Sequence, residues 1–418
     1  MKLEEKSMKA KVPESVLGAC QTLRDAGFEA WVVGGAVRDL VLGKTPSDWD
    51  VASDALPEQV LKLFERTIAT GLQHGTVTAL VGRGAKRTPV EITTFRGEGA
   101  YSDSRRPDRV HFGVPLNEDL KRRDFVMNAM AFDPIEGRVH DPFDGVGDLE
   151  ARVVRAVGVA EKRFAEDGLR VMRAVRFVST LDFALHKDTE LALETALDAL
   201  SKVAMERVRV ELLKLLSGPA AVRALVVAQE NNVLATILPT LSKEGFDDAL
   251  ARLDVAPKDP VLRLATLLLA VPTGSLDDLL RHLKMSNEER KRILGALRHI
   301  DGCGALLEPS ATVREYLSSI GRQSAPDLLA LVSQEASRKG DAKLAKAVSN
   351  AEGILASGVA LELGDLAISG GRIMEIGGVR GPIVGETLRG LLAQVLEEPS
   401  RNEPAFLESA AAALIARG

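Results

Sequence analysis

The stretch that most limits the fold runs from Trp31 to Ala52. Trp31-Val32-Val33 is a short apolar run that stops at Gly34-Gly35 and continues into a segment able to coil, with Arg38 and Asp39 on its first turns. The pattern predicts strand, tight turn and short helix. Glycines at such a turn let backbone N–H groups approach an anion with no Cβ between, and the helix start adds its own positive end. After Gly43-Lys44-Thr45-Pro46 the chain is expected to return as a strand over 47–51, where Asp48 and Asp50 share a face because side chains two apart on a strand point the same way. Adjacent carboxylates beside a phosphate cradle repel each other unless a hard cation neutralises them, and Mg²⁺ is the expected ion. A lone Gly-Gly turn or a lone Asp-x-Asp is common in ordinary loops. The ordered set, with Arg38 between the two, points to nucleotide phosphates.

The chain has 418 residues, enough for about two to four domains. A hydrophobic content of 45% with 27% charged residues describes a soluble globular protein. No apolar run approaches the roughly 20 residues that span a bilayer, and MKLEEKSMKAKV has no signal-peptide core, so the cytoplasm is the expected location. Cys20 and Cys303 lie far apart and outside any metal-ligand spacing, which argues against a disulfide framework or zinc site. The net charge of −5 does not advertise nucleic-acid binding, but binding uses patches. Basic residues cluster at Arg105-Arg106 and Arg109, at Lys121-Arg122-Arg123, and from Lys162 to Arg176.

In chain order, helices are expected over 14–26 and 57–66, the second opened by Pro57, and β-branched alternation predicts strands over 75–81 and 90–95. On the second of these, Glu91 and Thr93 share one face, so Glu91 is a candidate third metal ligand or a base for an attacking hydroxyl. The polar, glycine-containing run from Arg96 to Arg109 is expected to be a mobile loop over the site. A helix is expected over 119–130, from which Arg123 and Asn128 could offer donors to a triphosphate or ribose; a purely structural Asp119–Arg123 pair at i,i+4 spacing is the plain alternative.

Beyond Asp141-Pro142-Phe143-Asp144-Gly145 nearly all the sequence has helical periodicity. A helix over 163–177 would carry Asp167, Arg170, Arg173 and Arg176 in steps of three along one face, with Glu166–Arg170 as a surface pair in the bland reading. A carboxylate accepts hydrogen bonds and a guanidinium donates them, so Asp167 beside Arg170 matches an amino group beside a ring nitrogen. Cytosine and adenine offer that edge. Uracil and guanine place a carbonyl where the amino group belongs. Unpaired buried polar groups can reject a wrong base by about 10⁴-fold. Arg173 and Arg176 would remain free for phosphates.

The opening stretch resembles the signature of the polymerase-β-like nucleotidyltransferases. The ordered set VVGGAVRD, DWD, LQHGTVTAL, VEITTFR, YSDSRRPDRV, DLKRRDFVMNAMA, DPFDG and RFAEDGLRVMRAVRF resembles the class II tRNA nucleotidyltransferases, the CCA-adding enzymes. ERVRVELL from Glu206 and LAISGGRIMEIGGVRGPIVGETL resemble later parts of that family. Likeness is dense to about Leu216 and thin beyond.

The resemblance implies an α+β architecture: a nucleotidyltransferase head with a small mixed sheet over 1–150, then an all-α neck over 151–217, body over 218–345 and tail over 346–418 that grips tRNA. It implies that Asp48 and Asp50 bind the catalytic magnesium with Glu91 as third carboxylate. Gly35, Arg38 and Arg123 would hold the phosphates and sugar of the incoming nucleotide. Glu166, Asp167 and Arg170 would form the base-selecting template, and Arg173 and Arg176 would make further nucleotide contacts. In the implied reaction the 3′-hydroxyl of tRNA attacks the α-phosphate of CTP or ATP and pyrophosphate leaves, with the loop over 96–109 moving as the pocket changes preference. No stable protein partner is expected.

A bacterial poly(A) polymerase, a partial enzyme adding only A or only CC, and a silent RNA-binding protein are the alternatives. GLQHGTVTAL ahead of Glu91 weighs against the first, the intact loop against a CC-only enzyme, and intact Asp48, Asp50 and Arg38 against the last. His140-Asp141 is the sole His-Asp pair, so no metal-dependent phosphohydrolase activity is expected. In the second half, Ser286-Asn287-Glu288-Glu289 predicts a capped helix start, and Gly370-Gly371 and Gly377-Gly378 predict breaks.

Overall fold

The computed structural model describes residues 5–72, 75–82, 87–98, 110–241 and 243–417. They form two compact units, Met1–Ile237 and Leu238–Gly418. In the first, α1 (Glu5–Ala10) and α2 (Glu14–Asp25) precede β1 (Ala30–Val33), α3 (Gly35–Val41), β2 (Asp50–Ser53) and α4 (Pro57–Leu63). β1 is buried at every position, which accounts for a sequence, Ala-Trp-Val-Val, without polar alternation. Then come β3 (Thr67–Gly71), β4 (Thr76–Val81), β5 (Thr88–Thr94), β6 (Arg96–Glu98), β7 (Val110–Phe112), α5 (Leu116–Lys121), β8 (Ala131–Asp133), β9 (Arg138–His140) and α6 (Gly145–Ala151).

Seven strands make one mixed sheet in the order β3-β4-β5-β2-β1-β8-β9, in which β2 and β5 run parallel and the other neighbours antiparallel. Asp50 stands directly beside Glu91 in the β2–β5 register. A core of Trp31, Val33, Ala52, Phe95, Leu116, Leu120, Val126 and Ala131 ties α5 to the sheet.

The helical remainder of this unit comprises α7 (Ala160–Glu166), α8 (Leu169–Leu181), α9 (Lys187–Thr195), α10 (Leu197–Ser201), α11 (Met205–Ser217), α12 (Ala221–Glu230) and α13 (Val233–Ile237). A two-stranded parallel pair, β10 (Val153–Val154) with β11 (Ala184–Leu185), interrupts it. α8 packs against α11 and α12, its apolar face, including Val171, Met172, Val175 and Val178, fully buried.

Several sequence expectations need correcting. The helix over 57–66 stops at Leu63, and the chain enters β3 from Thr67. The strand over 47–51 begins only at Asp50, leaving Asp48 in the segment before it. Arg96–Glu98, assigned to a loop, is β6 and pairs with β7, while 99–109 lie outside the described residues. The helix over 119–130 ends at Lys121, and only Val126–Asn128 coils again, as a 3₁₀ turn. There Val126 N–H donates to Arg155 O at 2.8 Å and Val157 N–H to Asp124 O at 3.2 Å, so pairing with a distant segment replaced the helical bonds.

The helix over 163–177 is also broken, at Asp167-Gly168. Asp167 is extended (φ −147°, ψ 104°), and a Cβ on Gly168 would lie 2.3 Å from the Ala199 carbonyl, so α10 comes too close for any other residue. Asp167 Oδ1 accepts from Leu169 N–H at 3.1 Å and thereby starts α8.

The second unit is helical throughout its described residues, with short 3₁₀ turns. The predicted cap is present: Ser286 Oγ accepts from Glu289 N–H at 3.2 Å and Glu289 Oε2 from Ser286 N–H at 2.7 Å. Gly370-Gly371 does not break the chain but opens the helix Gly370–Gly377, capped by Ser369, whereas Gly378 ends it in the left-handed conformation (φ 62°).

Candidate active site

Gly34 turns the chain out of β1 with φ +72° and ψ −134°, a conformation that L side chains rarely adopt. It is also a point of close approach: a Cβ there would lie 2.9 Å from Arg123 Nη1 and 3.9 Å from Asp50 Oδ2. The turn therefore gathers the first β-strand's end, one acid and one arginine at a single spot. Arg38, on α3, donates from Nε and Nη2 to Asp39 Oδ1 at 2.9 and 2.8 Å and from Nη1 to Asn128 Oδ1 at 3.0 Å. A Cβ on Gly35 would lie 3.6 Å from Arg38 Nη2, so that glycine lies beneath the guanidinium.

Asp48 is exposed and Asp50 half-buried. Burial pushes the Asp50 carboxyl above the usual carboxylate range; the Asp48 charge and, less strongly, Glu91 push the same way, and Arg123 pulls back only in part. This is a carboxylate whose charge is under-compensated. Among the described residues no group of three or more His, Cys, Asp or Glu side chains is drawn close enough to hold a metal ion. What the structure offers a cation is the Asp48/Asp50 pair, with Glu91 on the adjoining strand. On the same side, Arg123 Nε is buried with no hydrogen-bond partner among the described residues, a donor suited to an anion.

The predicted selecting residues lie in the same unit. Glu166 Oε2 accepts from Arg163 Nη1 at 2.8 Å and Arg170 Nη1 at 2.5 Å. Asp167 accepts from Arg207 Nη2 at 2.8 Å and Nη1 at 3.4 Å. Neither Asp167 nor Arg170 faces bulk water, their side chains being 17% and 10% exposed. An open hollow of about 260 Å³ is lined in part by Lys121, Arg122, Arg163 and Glu166, though by neither Asp167 nor Arg170. Arg170 Nη2 also donates to the Arg122 carbonyl at 3.3 Å, one residue from the arginine that approaches the Gly34 turn together with Asp50. Arg122-Arg123 thus touches the predicted selecting set through one carbonyl and approaches the Gly34 turn beside Asp50 through one side chain.

Arg173 and Arg176 are not free, contrary to the expectation. Arg173 Nε donates to Asp124 Oδ2 at 2.7 Å, and Arg176 Nε lies 2.5 Å from Glu211 Oε2. Arg38, Arg173 and Arg176 stack on the ring of buried Phe177, with guanidinium carbons 5.4, 5.7 and 3.9 Å from its centroid. Burial alone would push the Asp124 carboxyl up; the Arg173 charge, with hydrogen bonds from Asn128 and Arg173, instead holds it down at about 2. Asp119, Asp124, Arg207 and Glu211 were not among the residues picked from the sequence for the site. Arg207 and Glu211 stand four apart on α11, a spacing that marks one helix face but names no partner.

A mixed sheet that sets an acid pair beside a glycine turn and a buried arginine defines a nucleotidyltransferase head. Residues 30–155 match the family described as the poly(A) polymerase head domain, and residues 182–244 the probable RNA- and SrmB-binding site of polymerase A. The CCA-adding enzyme of Lactobacillus johnsonii is 36% identical over 403 residues, covering 94% of this chain and 96% of its own. That of Geobacillus stearothermophilus is 43% identical over 320 residues, covering 75% and 76%. The crystal structure of the Bacillus stearothermophilus CCA-adding enzyme in complex with CTP superposes with a TM-score of 0.80 at 35% identity over 97% of both chains. The chain belongs to the CCA-adding enzyme family, the tRNA nucleotidyltransferases. No helix among its described residues is long and apolar enough to cross a membrane.

Proposed function

We propose that this protein adds C, C and A to the 3′ end of tRNA without a nucleic-acid template, using CTP and ATP and releasing pyrophosphate. One observation carries the reading: Arg123 and the under-compensated Asp50 converge on the Gly34 turn, while the adjoining Arg122 carbonyl accepts from Arg170. Activation of the RNA end and inspection of the base then take place at neighbouring positions.

Asp48 and Asp50 would hold Mg²⁺, hard oxygen donors that suit this ion, and Glu91 on the adjoining strand would have to draw in to serve as third carboxylate. The chemistry a magnesium ion would supply there is a lowered pKa for the 3′-hydroxyl and neutralised charge on the attacking and leaving oxygens. Gly35 and Arg38 line the phosphates and sugar, and Arg123 supplies its unpartnered Nε. Glu166, Asp167 and Arg170 read the base, Asp167 accepting from the amino group and Arg170 donating to the ring nitrogen. To do so they exchange the internal pairs with Arg207 and Glu166 for the base edge. Arg173 and Arg176 would contact the nucleotide by exchanging part of their pairing with Asp124 and Glu211 for it. We assign 1–150 as head, 151–217 as neck, 218–345 as body and 346–418 as tail, the last two gripping tRNA, and the cytoplasm as the site of action.

Incubation with tRNA lacking its terminal CCA, with each nucleotide alone and mixed, tests the reading. Two C residues from CTP alone and a complete CCA from the mixture are expected. Because both matching family models are described from polymerase A, a second reading is a poly(A) polymerase, and a long A tract from ATP alone would favour it. A single A on CC-ended tRNA, with CTP inert, would mark an A-only enzyme.

A further inference from the structure

Asp119 is buried to 1% exposure on α5, flanked by Leu116 and Leu120 of the head core. Its Oδ1 accepts from Arg122 Nε at 2.9 Å and Nη2 at 2.7 Å and from the Arg96 backbone N–H at 3.3 Å; its Oδ2 accepts from Arg123 Nη2 at 3.3 Å. The two guanidiniums it grips belong to the dipeptide that spans the site. Arg123 Nη1 reaches the Gly34 turn beside Asp50, while the Arg122 carbonyl accepts from Arg163 Nη1 at 3.2 Å and Arg170 Nη2 at 3.3 Å.

We propose that Asp119 is a positioning residue for nucleotidyl transfer: by clamping Arg122-Arg123 it fixes the spacing between the acid pair and the base-reading arginine. The proposal rests on the functional reading above and names a residue which that reading does not require. Only an acceptor with several lone pairs can take donors from three residues at once, and an ionised carboxylate is that group. A leucine of similar volume would pack as well there. The carboxylate is needed for aim.

The test compares Asp119→Asn with Asp133→Asn. Asp133, at the end of β8, is an equally buried carboxylate of the same unit that takes Arg24 Nη2 at 2.6 Å and the Ile135 and Glu136 backbone N–H groups. Asparagine keeps one acceptor and turns a donor toward an arginine. For Asp119→Asn the KM for CTP and ATP is expected to rise about tenfold, the worth of one charge-assisted hydrogen bond, with kcat falling less than about threefold. Hydrogen exchange at the Arg96 amide is expected to accelerate, a readout independent of catalysis. Asp133→Asn is expected to lower the melting temperature with KM unchanged. If both variants lose melting temperature alone, Asp119 is merely structural and the proposal is overturned. Should Asp119→Asn not fold, Arg122→Lys keeps the charge but loses the two-pronged grip, and an unchanged KM in that variant overturns the proposal equally. A wild-type protein that adds no CCA while exchange at Arg96 still responds to Asp119→Asn would refute the functional reading and leave the clamp standing.

Discussion

Asp50 at the start of β2 and Asp124 after α5 are both partly buried aspartates of one unit, yet their surroundings move them in opposite directions. Asp50 has acids for neighbours, and burial and Asp48 raise it against a single arginine. Asp124 is deeper, but Arg173 and Asn128 saturate it and hold it at about 2. A carboxylate whose charge is unmet stores repulsion that a bound cation relieves. One whose charge is met fastens the head to α8. The difference separates chemistry from construction more sharply than burial or residue type does.

The strongest way to break this contrast is Asp50→Asn. Incorporation is expected to fall by more than about 10³-fold in single-turnover assays. In metal-free buffer near pH 7 the same variant should melt no lower than the wild type. A folded-state pKa raised above the unfolded one contributes stability only at low pH and loses it as pH rises through the folded value, so at neutrality the charged Asp50 burdens the fold. Added Mg²⁺ should raise the melting temperature of the wild type and leave Asp50→Asn unmoved.

Asp124→Asn should do the reverse, costing about 3 kcal/mol by leaving Arg173 buried without its counter-charge. Because the Asp124 pKa is depressed, its stabilisation is present above the ordinary 3.8 and lost as pH falls from there through about 2. The wild-type advantage in urea melts should therefore shrink between those two values, and an advantage independent of pH would exclude the ion pair as its source.

Asp167→Ala combined with Arg170→Ala sharpens the middle ground, where charges are met and only slightly accessible. Preference for CTP over UTP should fall about tenfold or more with incorporation still measurable. An unchanged preference would remove the base-reading role. At the small end, Lys202 and Asp198 form an i,i+4 pair at 2.7 Å with side chains 59% and 82% exposed. Lys202→Ala should change stability by less than about 0.5 kcal/mol in the same melts.

How far the site could be read from the residues follows the range of the interactions. The β1–turn–α3 unit, Glu91 on the strand neighbouring Asp50 and the Ser286 cap are relations within a few residues or follow from local strand patterning, and all were legible, whereas the two-residue period carried the strand back to Asp48 when it begins only at Asp50. Asp124–Arg173 and Asp167–Arg207 join residues 49 and 40 apart, and nothing in either local pattern names the partner. The Asp167-Gly168 break was signalled by the dipeptide itself, since Asp and Gly favour helix boundaries, but the row of basic residues at threefold spacing concealed it.

The sequence by itself determined the head's opening turn, the acids that follow it and the helical character of the second half, because short-range sterics and periodicity act before any packing exists. Tertiary structure decided which charges are met. Arg173 could not be known to be occupied until Asp124 was carried to it, and α8 could not be known to begin at Leu169 until the Ala199 backbone closed on Gly168. Charge compensation in a low-dielectric interior depends on distances of a few ångströms between remote residues, and only the packed chain sets those.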